Sequence, residues 1–157
     1  MSFIDAVKSC FRKYISISGR APRSEYWWFT LFLLLLGLVA MLLDTALFNS
    51  PAFDETGPIE NLANLATFIP SITVAVRRLH DINKSGFYIF MPLVGIAVGF
   101  FAAFSLTSSA GVIIGFIIGL VAILWFLWWM IKPSDPDPNR FGPNPFNENE
   151  RLEEVFE

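Results

Sequence analysis

The stretch SGFYIFMPLVGIAVGFFAAFSLTSSAGVIIGFIIGLVAILWFLWWMI, Ser85 to Ile131, carries no formal charge. It is more than twice the about 20 residues that one membrane-spanning helix requires. At hydrocarbon depth no water satisfies backbone N–H and C=O groups, so only helices or a closed barrel can cross. The run lacks the alternation of a barrel strand, which leaves helices. The fold expected from this stretch is all-α, an integral membrane protein with two of its spans here, over about 87–106 and 110–131. The uncharged turn at Thr107 and Ser108 makes them a tight antiparallel hairpin. Gly95 and Gly99 in one span, with Gly111, Gly115 and Gly119 in the other, form ridges of small residues that let two backbones approach, within the hairpin or across a dimer.

Two more spans are expected upstream. The first, about 26–43, has Thr30 as its only clearly polar side chain. The second, about 62–76, is short and carries Asn64, Thr67, Pro70, Ser71 and Thr73, which are expected to face the bundle interior and bond between helices, a polar path through the bundle being the alternative. Pro70 should kink it. Between them, Asp44 to Glu60 is acidic, without a basic residue, and reads as an extracytoplasmic loop. The chain of 157 residues, 54% hydrophobic and 16% aromatic, thus holds one membrane domain over 26–131.

Residues 1–25 precede the spans. Phe3, Ile4, Val7, Phe11, Tyr14 and Ile15 fall on one helical face and Asp5, Lys8 and Arg12 on the other, with Ser2 and Asp5 fitting a capping box. Such a helix lies in the interface or packs on the bundle. The first apolar run starts only after five basic residues and outlasts a signal-peptide core, so no cleavage is expected. Residues 132–157 form a Pro-rich tail, acidic from Glu148 onward, expected to be extended and solvated, with folding back over the basic cytoplasmic face as the alternative.

The charges decide topology. All eleven Lys and Arg fall before the first span, after the second or after the fourth. The positive-inside rule therefore places both termini in the cytoplasm. Trp27, Trp28, Trp125, Trp128 and Trp129, with Tyr26 and Tyr88, reinforce the same side.

Two juxtamembrane clusters combine charge, aromatics and backbone-bending residues: Gly19-Arg20-Ala21-Pro22-Arg23-Ser24-Glu25-Tyr26-Trp27-Trp28, and Arg77-Arg78-Leu79-His80-Asp81-Ile82-Asn83-Lys84-Ser85-Gly86. They resemble the signatures of the small bacterial inner-membrane proteins grouped as DUF805, and the tail's Gly142-Pro143-Asn144-Pro145 is similar to that family's usual ending. The resemblance implies a multi-span inner-membrane protein with cytoplasmic termini and imports no reaction. Phe87 stands where many relatives would carry Trp.

Chemically, Arg20, Arg23, Arg77, Arg78 and Lys84 suit phosphate headgroups, with Trp27 and Trp28 as a rim. Glu25 and Asp81 could orient the arginines, and His80 is the one group titrating near neutrality. Topology enforcement and loop stapling compete with headgroup binding for these residues, and acid-base chemistry on a lipid phosphate is a third use. No Asp, Glu, Lys or Arg lies inside any of these spans, which counts against an ion-coupled carrier. A lone His80 and lone Cys10 cannot build the multi-ligand site that zinc usually needs; no metal, cofactor or nucleic-acid partner is expected. Cys10 reads as an inert small hydrophobe, with S-acylation as the alternative. The expected function is binding of anionic lipid headgroups, or of a membrane partner or second copy, without catalysis. A small membrane enzyme or carrier acting on a lipid-linked or amphipathic molecule is the alternative.

Overall fold

A computed structural model describes residues 1–48, 56–106 and 109–146 of the chain. The middle of the acidic loop, the turn at Thr107 and Ser108, and the acidic end from Glu148 lie outside the described residues. The elements are α1 (Phe3–Arg12), α2 (Arg23–Phe48), α3 (Pro58–Asp81), a 3₁₀ turn (Gly86–Phe90) leading into α4 (Met91–Leu106), and α5 (Ser109–Ile131). Among the described residues there is no strand. Four helical segments, Arg23–Phe48, Pro58–Asp81, Gly86–Ser105 and Ser109–Ile131, are long and apolar enough to cross a membrane.

The upstream helices extend beyond the spans expected from hydropathy, because charged residues at their ends find partners on neighbouring elements. Asp44, expected in the loop, belongs to α2 and is buried. Its carboxylate accepts the first free N–H groups of α3, from Ile59 at 3.0 Å and Glu60 at 2.8 Å. It therefore caps a neighbouring helix from outside, in the place where a side-chain cap on Gly57 is missing. Gly57 is required there because a Cβ would collide with the Asp44 side chain.

At its other end α3 runs through Arg77, Arg78 and Asp81. It stops at a Schellman turn, in which Asn83 N–H donates to His80 O at 3.0 Å and Lys84 N–H to Leu79 O at 2.9 Å. Asn83 takes the left-handed conformation (φ 56°) that this turn needs.

The polar residues of α3 mostly bond within it. Thr67 donates to Ala63 O (2.7 Å), Ser71 to Phe68 O (2.7 Å) and Thr73 to Pro70 O (3.1 Å). The expected helix-to-helix bonds are thereby corrected, since a short hydroxyl side chain reaches its own preceding turn first. Asn64 is exposed. The helix continues through Pro70, whose missing N–H would strand the carbonyl of Ala66. Tyr14 supplies the missing donor: its hydroxyl reaches Ala66 O at 2.9 Å, while Thr73 Oγ1 lies 3.3 Å from Tyr14 O. This contact fastens the segment after α1 to α3.

Helix α1 begins with the expected box, Asp5 N–H to Ser2 Oγ at 3.3 Å and Ser2 Oγ to Asp5 at 2.6 Å. The Ser2 bond also holds the exposed Asp5 carboxyl below its usual range. Ala6 and Cys10 are fully buried against the bundle, and Phe11 packs edge-on to Phe29 and Phe32. Ile4 and Ile15 remain exposed on the same helix and the residues after it.

Helices α4 and α5 pair along their lengths, as α2 and α3 do, and the two pairs meet chiefly at one end, through Leu79, Ile82, Trp129, Met130 and Tyr26. In the α4–α5 hairpin a Cβ on Gly99 would overlap the carbonyl oxygen of Gly115, and one on Gly115 that of Gly99. Gly95 sits equally close to Ala122. A methyl on Gly119, by contrast, would find ordinary contacts with Ile96 at 3.7–3.8 Å. Gly115→Ala is therefore expected to cost about 1–3 kcal/mol by overpacking, and Gly119→Ala close to nothing. Thermal unfolding of both variants in one detergent checks this; equal melting points would refute the packing.

Candidate functional site

The end of the bundle where the helix pairs meet holds a cluster of buried ions. It is assembled from the 13–22 loop, the first turn of α2, the last turns of α3 and α5, and the tail. Asp81, wholly buried, stands at its centre. One carboxylate oxygen accepts Arg20 Nε at 3.0 Å. The other accepts Arg78 Nη1 at 2.5 Å and the Ser134 hydroxyl at 2.5 Å.

Both arginines spend their remaining donors on backbone carbonyls. Arg20 reaches Asp81 O (3.3 Å), Asp135 O (2.6 Å) and Asp137 O (2.9 Å), and approaches Gly142 O at 3.4 Å. Arg78 reaches Met130 O (3.2 Å) and Trp129 O (3.4 Å), together with Lys132 O. The last carbonyls of α5, which have no partner within their own helix, are thus capped by a cation, as a helix C-terminus favours. Arg78 ties α3 to α5, and Arg20 ties the loop to the tail.

A second pair lies beside the first. Arg77 Nη1 donates to Glu25 Oε1 at 2.7 Å, with both side chains buried, and Ser9 of α1 donates to the same oxygen at 3.0 Å. The chain crosses here by a backbone bond, Ala21 N–H to Arg77 O at 3.0 Å. Arg77 Nε and Nη2 have no acceptor. The Cys10 thiol lies against the pair, its sulfur 3.9 Å from Glu25 Oε1. Burial, and then the Glu25 charge, push its pKa up to about 12.

The tail closes over this cluster instead of leaving it solvated, which corrects the expectation for residues 132–146. Asp135 N–H donates to Asp81 O (3.1 Å) and Asn139 Nδ2 to His80 O (2.9 Å). Phe141 stacks on the His80 ring, with centroids 3.8 Å apart and planes 3° from parallel. Arg140 lies over the same Phe141 ring, and its guanidinium reaches Asn83 O at 3.3 Å. His80 Nδ1 is 3.3 Å from Gly19 O, so the imidazole is held from both sides.

The two sequence clusters therefore touch, but not as a lipid-facing array of cations. Arg20, Arg77 and Arg78 point inward with Glu25 and Asp81, and His80 is covered by the tail. Lys84 packs over Trp129 at 5.2 Å and Tyr88 at 5.7 Å. Arg23, Trp27 and Trp28 stay at the surface. The inward direction follows from helix geometry: once α3 continues to Asp81, Arg77, Arg78 and Asp81 occupy its last turns, packed between α2 and α5. Sequence reasoning missed Ser134, Ser9 and the α5 carbonyls as partners, and no local motif marks them. The one available signal was Asp81 three residues after Arg78, the spacing of a helical ion pair.

The molecule is thus a helical membrane protein of four candidate spans, latched at one end by buried arginine–carboxylate pairs. Residues 14–143 match the family model "Protein of unknown function (DUF805)", and the chain belongs to that family. It is 37% identical over 90 residues to the inner membrane protein YhaI of Escherichia coli K12, covering 55% of this chain and 72% of that relative. It is 28% identical over 134 residues to the inner membrane protein YhaH of the same strain, covering 85% of this chain and 90% of that one. No solved structure matches it.

Two outcomes follow from the cluster. Asp81→Asn leaves two buried guanidinium groups short of their counter-charge and is expected to cost about 3–5 kcal/mol, read as a lowered melting point or loss of folded protein; an unchanged melting point would refute the latch. Cys10, with its pKa raised, holds almost no thiolate at neutral pH. A membrane-permeant maleimide should label it only after denaturation, or slowly as the pH climbs toward 12; prompt labelling of folded protein at pH 7 would contradict its burial.

Proposed function

We propose that this protein sits in the bacterial inner membrane with both termini in the cytoplasm and binds an anionic lipid headgroup at the surface of its latched end. The observation that carries this reading is an open groove of about 400 Å³ lined by Arg23, Ser24, Trp27, Trp28, Leu31 and Ile131. Its chemistry is graded. Leu31 and Ile131 offer apolar wall, the two indoles an amphipathic rim, and Arg23 a guanidinium at the top with one donor on Ile131 O at 3.3 Å. Ser24 Oγ is buried there without a hydrogen-bond partner, an unusual state for a hydroxyl. Trp27 is fixed by its own bond from Nε1 to Met130 O at 3.3 Å.

A phospholipid fits this gradient, with acyl chain along the helices and phosphate at Arg23. Orientation rests on charge: Lys8, Arg12, Lys13, Arg20, Arg23, Arg77, Arg78, Lys84, Lys132 and Arg140 all belong to elements gathered at the latched end, while Asp44 and Glu60 belong to the other. Asp81 and His80, the pair on which an enzymatic reading would rest, are both committed to packing, which favours binding over catalysis. The buried arginines support the surface and do not contact the lipid.

Native extraction of wild type, Arg23→Gln and Arg78→Gln, followed by mass spectrometry of retained lipids, tests the reading. Arg23→Gln is expected to reduce retained anionic lipid by roughly tenfold, the loss of one charge-assisted contact, at an unchanged melting point. Arg78→Gln should lower the melting point instead. An identical lipid set from Arg23→Gln and wild type would overturn the proposal.

A further inference from the structure

A second concavity shares no residue with the lipid groove. It is a cleft of about 710 Å³ between the polar face of α1, the loop around Arg20, and the tail from Phe141 to Phe146. That volume is in the range of small-molecule sites, roughly 300–1,000 Å³. Lys8 and Arg12 of α1 and Lys13 just after it line the cleft. Lys8 and Arg12 are one helical turn apart, so both heads can converge on one object. None of the three has a carboxylate within ion-pairing distance among the described residues. Asp5, bonded to Ser2 at the helix cap on the same wall, sets one negative charge against these three cations. Deeper in, Arg20 is paired with Asp81, which it shares with Arg78, and Glu25 is paired with Arg77. The uncompensated charge of the cleft is positive.

Both walls are held by the ion cluster. Ser9 of α1 is bonded to Glu25, and Arg20 donates to Asp137 O and approaches Gly142 O on the tail. Little ordering is left for a ligand to impose, and preorganised cations bind better for that reason. Phe146, exposed at the tail side, adds an apolar edge. A surface set of lysines serving topology alone would not need an opposing wall tied down by a buried arginine.

We propose that this cleft binds a phosphate-bearing group through Lys8, Arg12 and Lys13, the phosphate being either free in the aqueous phase or carried on a lipid that reaches over the membrane surface. This is a site distinct from the Arg23 groove and stands or falls independently of it.

The test uses the full chain in nanodiscs of phosphatidylcholine, titrated with inorganic pyrophosphate by calorimetry. Saturable binding is expected, weakened about tenfold or more in Lys8→Gln/Arg12→Gln, unchanged in Arg23→Gln, and retained in Lys8→Arg. Because the replaced side chains are exposed, the melting point of the double variant should equal that of wild type. A second set of discs containing phosphatidic acid identifies the source. Loss of pyrophosphate binding there, restored only when the lipid is removed, assigns the site to a lipid headgroup, and undiminished binding assigns it to a soluble phosphate. Two results would overturn the proposal. One is no saturable pyrophosphate binding in the first discs together with phosphatidic acid retention that ignores Lys8 and Arg12. The other is equal weakening by Arg23→Gln, which would reduce the effect to diffuse surface charge.

Discussion

Asp81 and the two arginines that share it are the constraint on which the rest of the molecule depends. A carboxylate and two guanidinium groups withdrawn from water are costly unless every oxygen and every N–H finds a partner. Here the partners come from different parts of the chain. Arg78 spends its donors on the C-terminal carbonyls of α5, Arg20 on the tail, and Ser134 completes the carboxylate. Since each element is needed to satisfy the others, the cluster specifies which helix ends must meet. The apolar spans cannot do this alone, because lipid is as good a solvent for leucine as another helix is.

The same logic recurs at smaller scale. Asp44 lends its carboxylate to the start of α3, and the Tyr14 hydroxyl satisfies the carbonyl that Pro70 leaves exposed. In each case a backbone group stranded by local chemistry is rescued by a side chain from another element. Where no polar group is available, in the α4–α5 hairpin, close packing replaces it. Gly99 and Gly115 bring two backbones into direct contact and gain dispersion that larger residues would prevent.

With the interior cations spoken for, the surface is left a smaller and more differentiated set. Arg23 with Trp27 and Trp28 faces the apolar side of the latched end; Lys8, Arg12 and Lys13 face a polar cleft under the tail. One end of the protein thus presents two chemically different faces, held in fixed relation by a shared buried core. The family to which the chain belongs is one of unknown function, and the chain's latched end divides into a buried structural core and two surfaces of different chemistry.

The number of long apolar helices, their approximate positions, the capping box at Ser2 and the glycine ridges were legible in the sequence. Each depends on residues close together in the chain or on bulk hydropathy, which a linear reading can sum. The sequence also marked both charged clusters. It did not reveal which way they point. Arg77 and Arg78 read as headgroup ligands only if the helix ends before them, and the helix continues because Asp81, the carbonyls of Met130 and Lys132, and Glu25 are waiting in space. Likewise, the Pro-rich tail reads as solvated until Arg20 and His80 are seen to hold it. Apart from Asp81, three residues after Arg78, those partners lie about 50 to 120 residues away in the chain, at spacings that follow no periodic rule. Local composition determined that this chain enters a membrane as helices; only the tertiary structure decided which of its charges became core, since burying a charge depends on where every partner ends up.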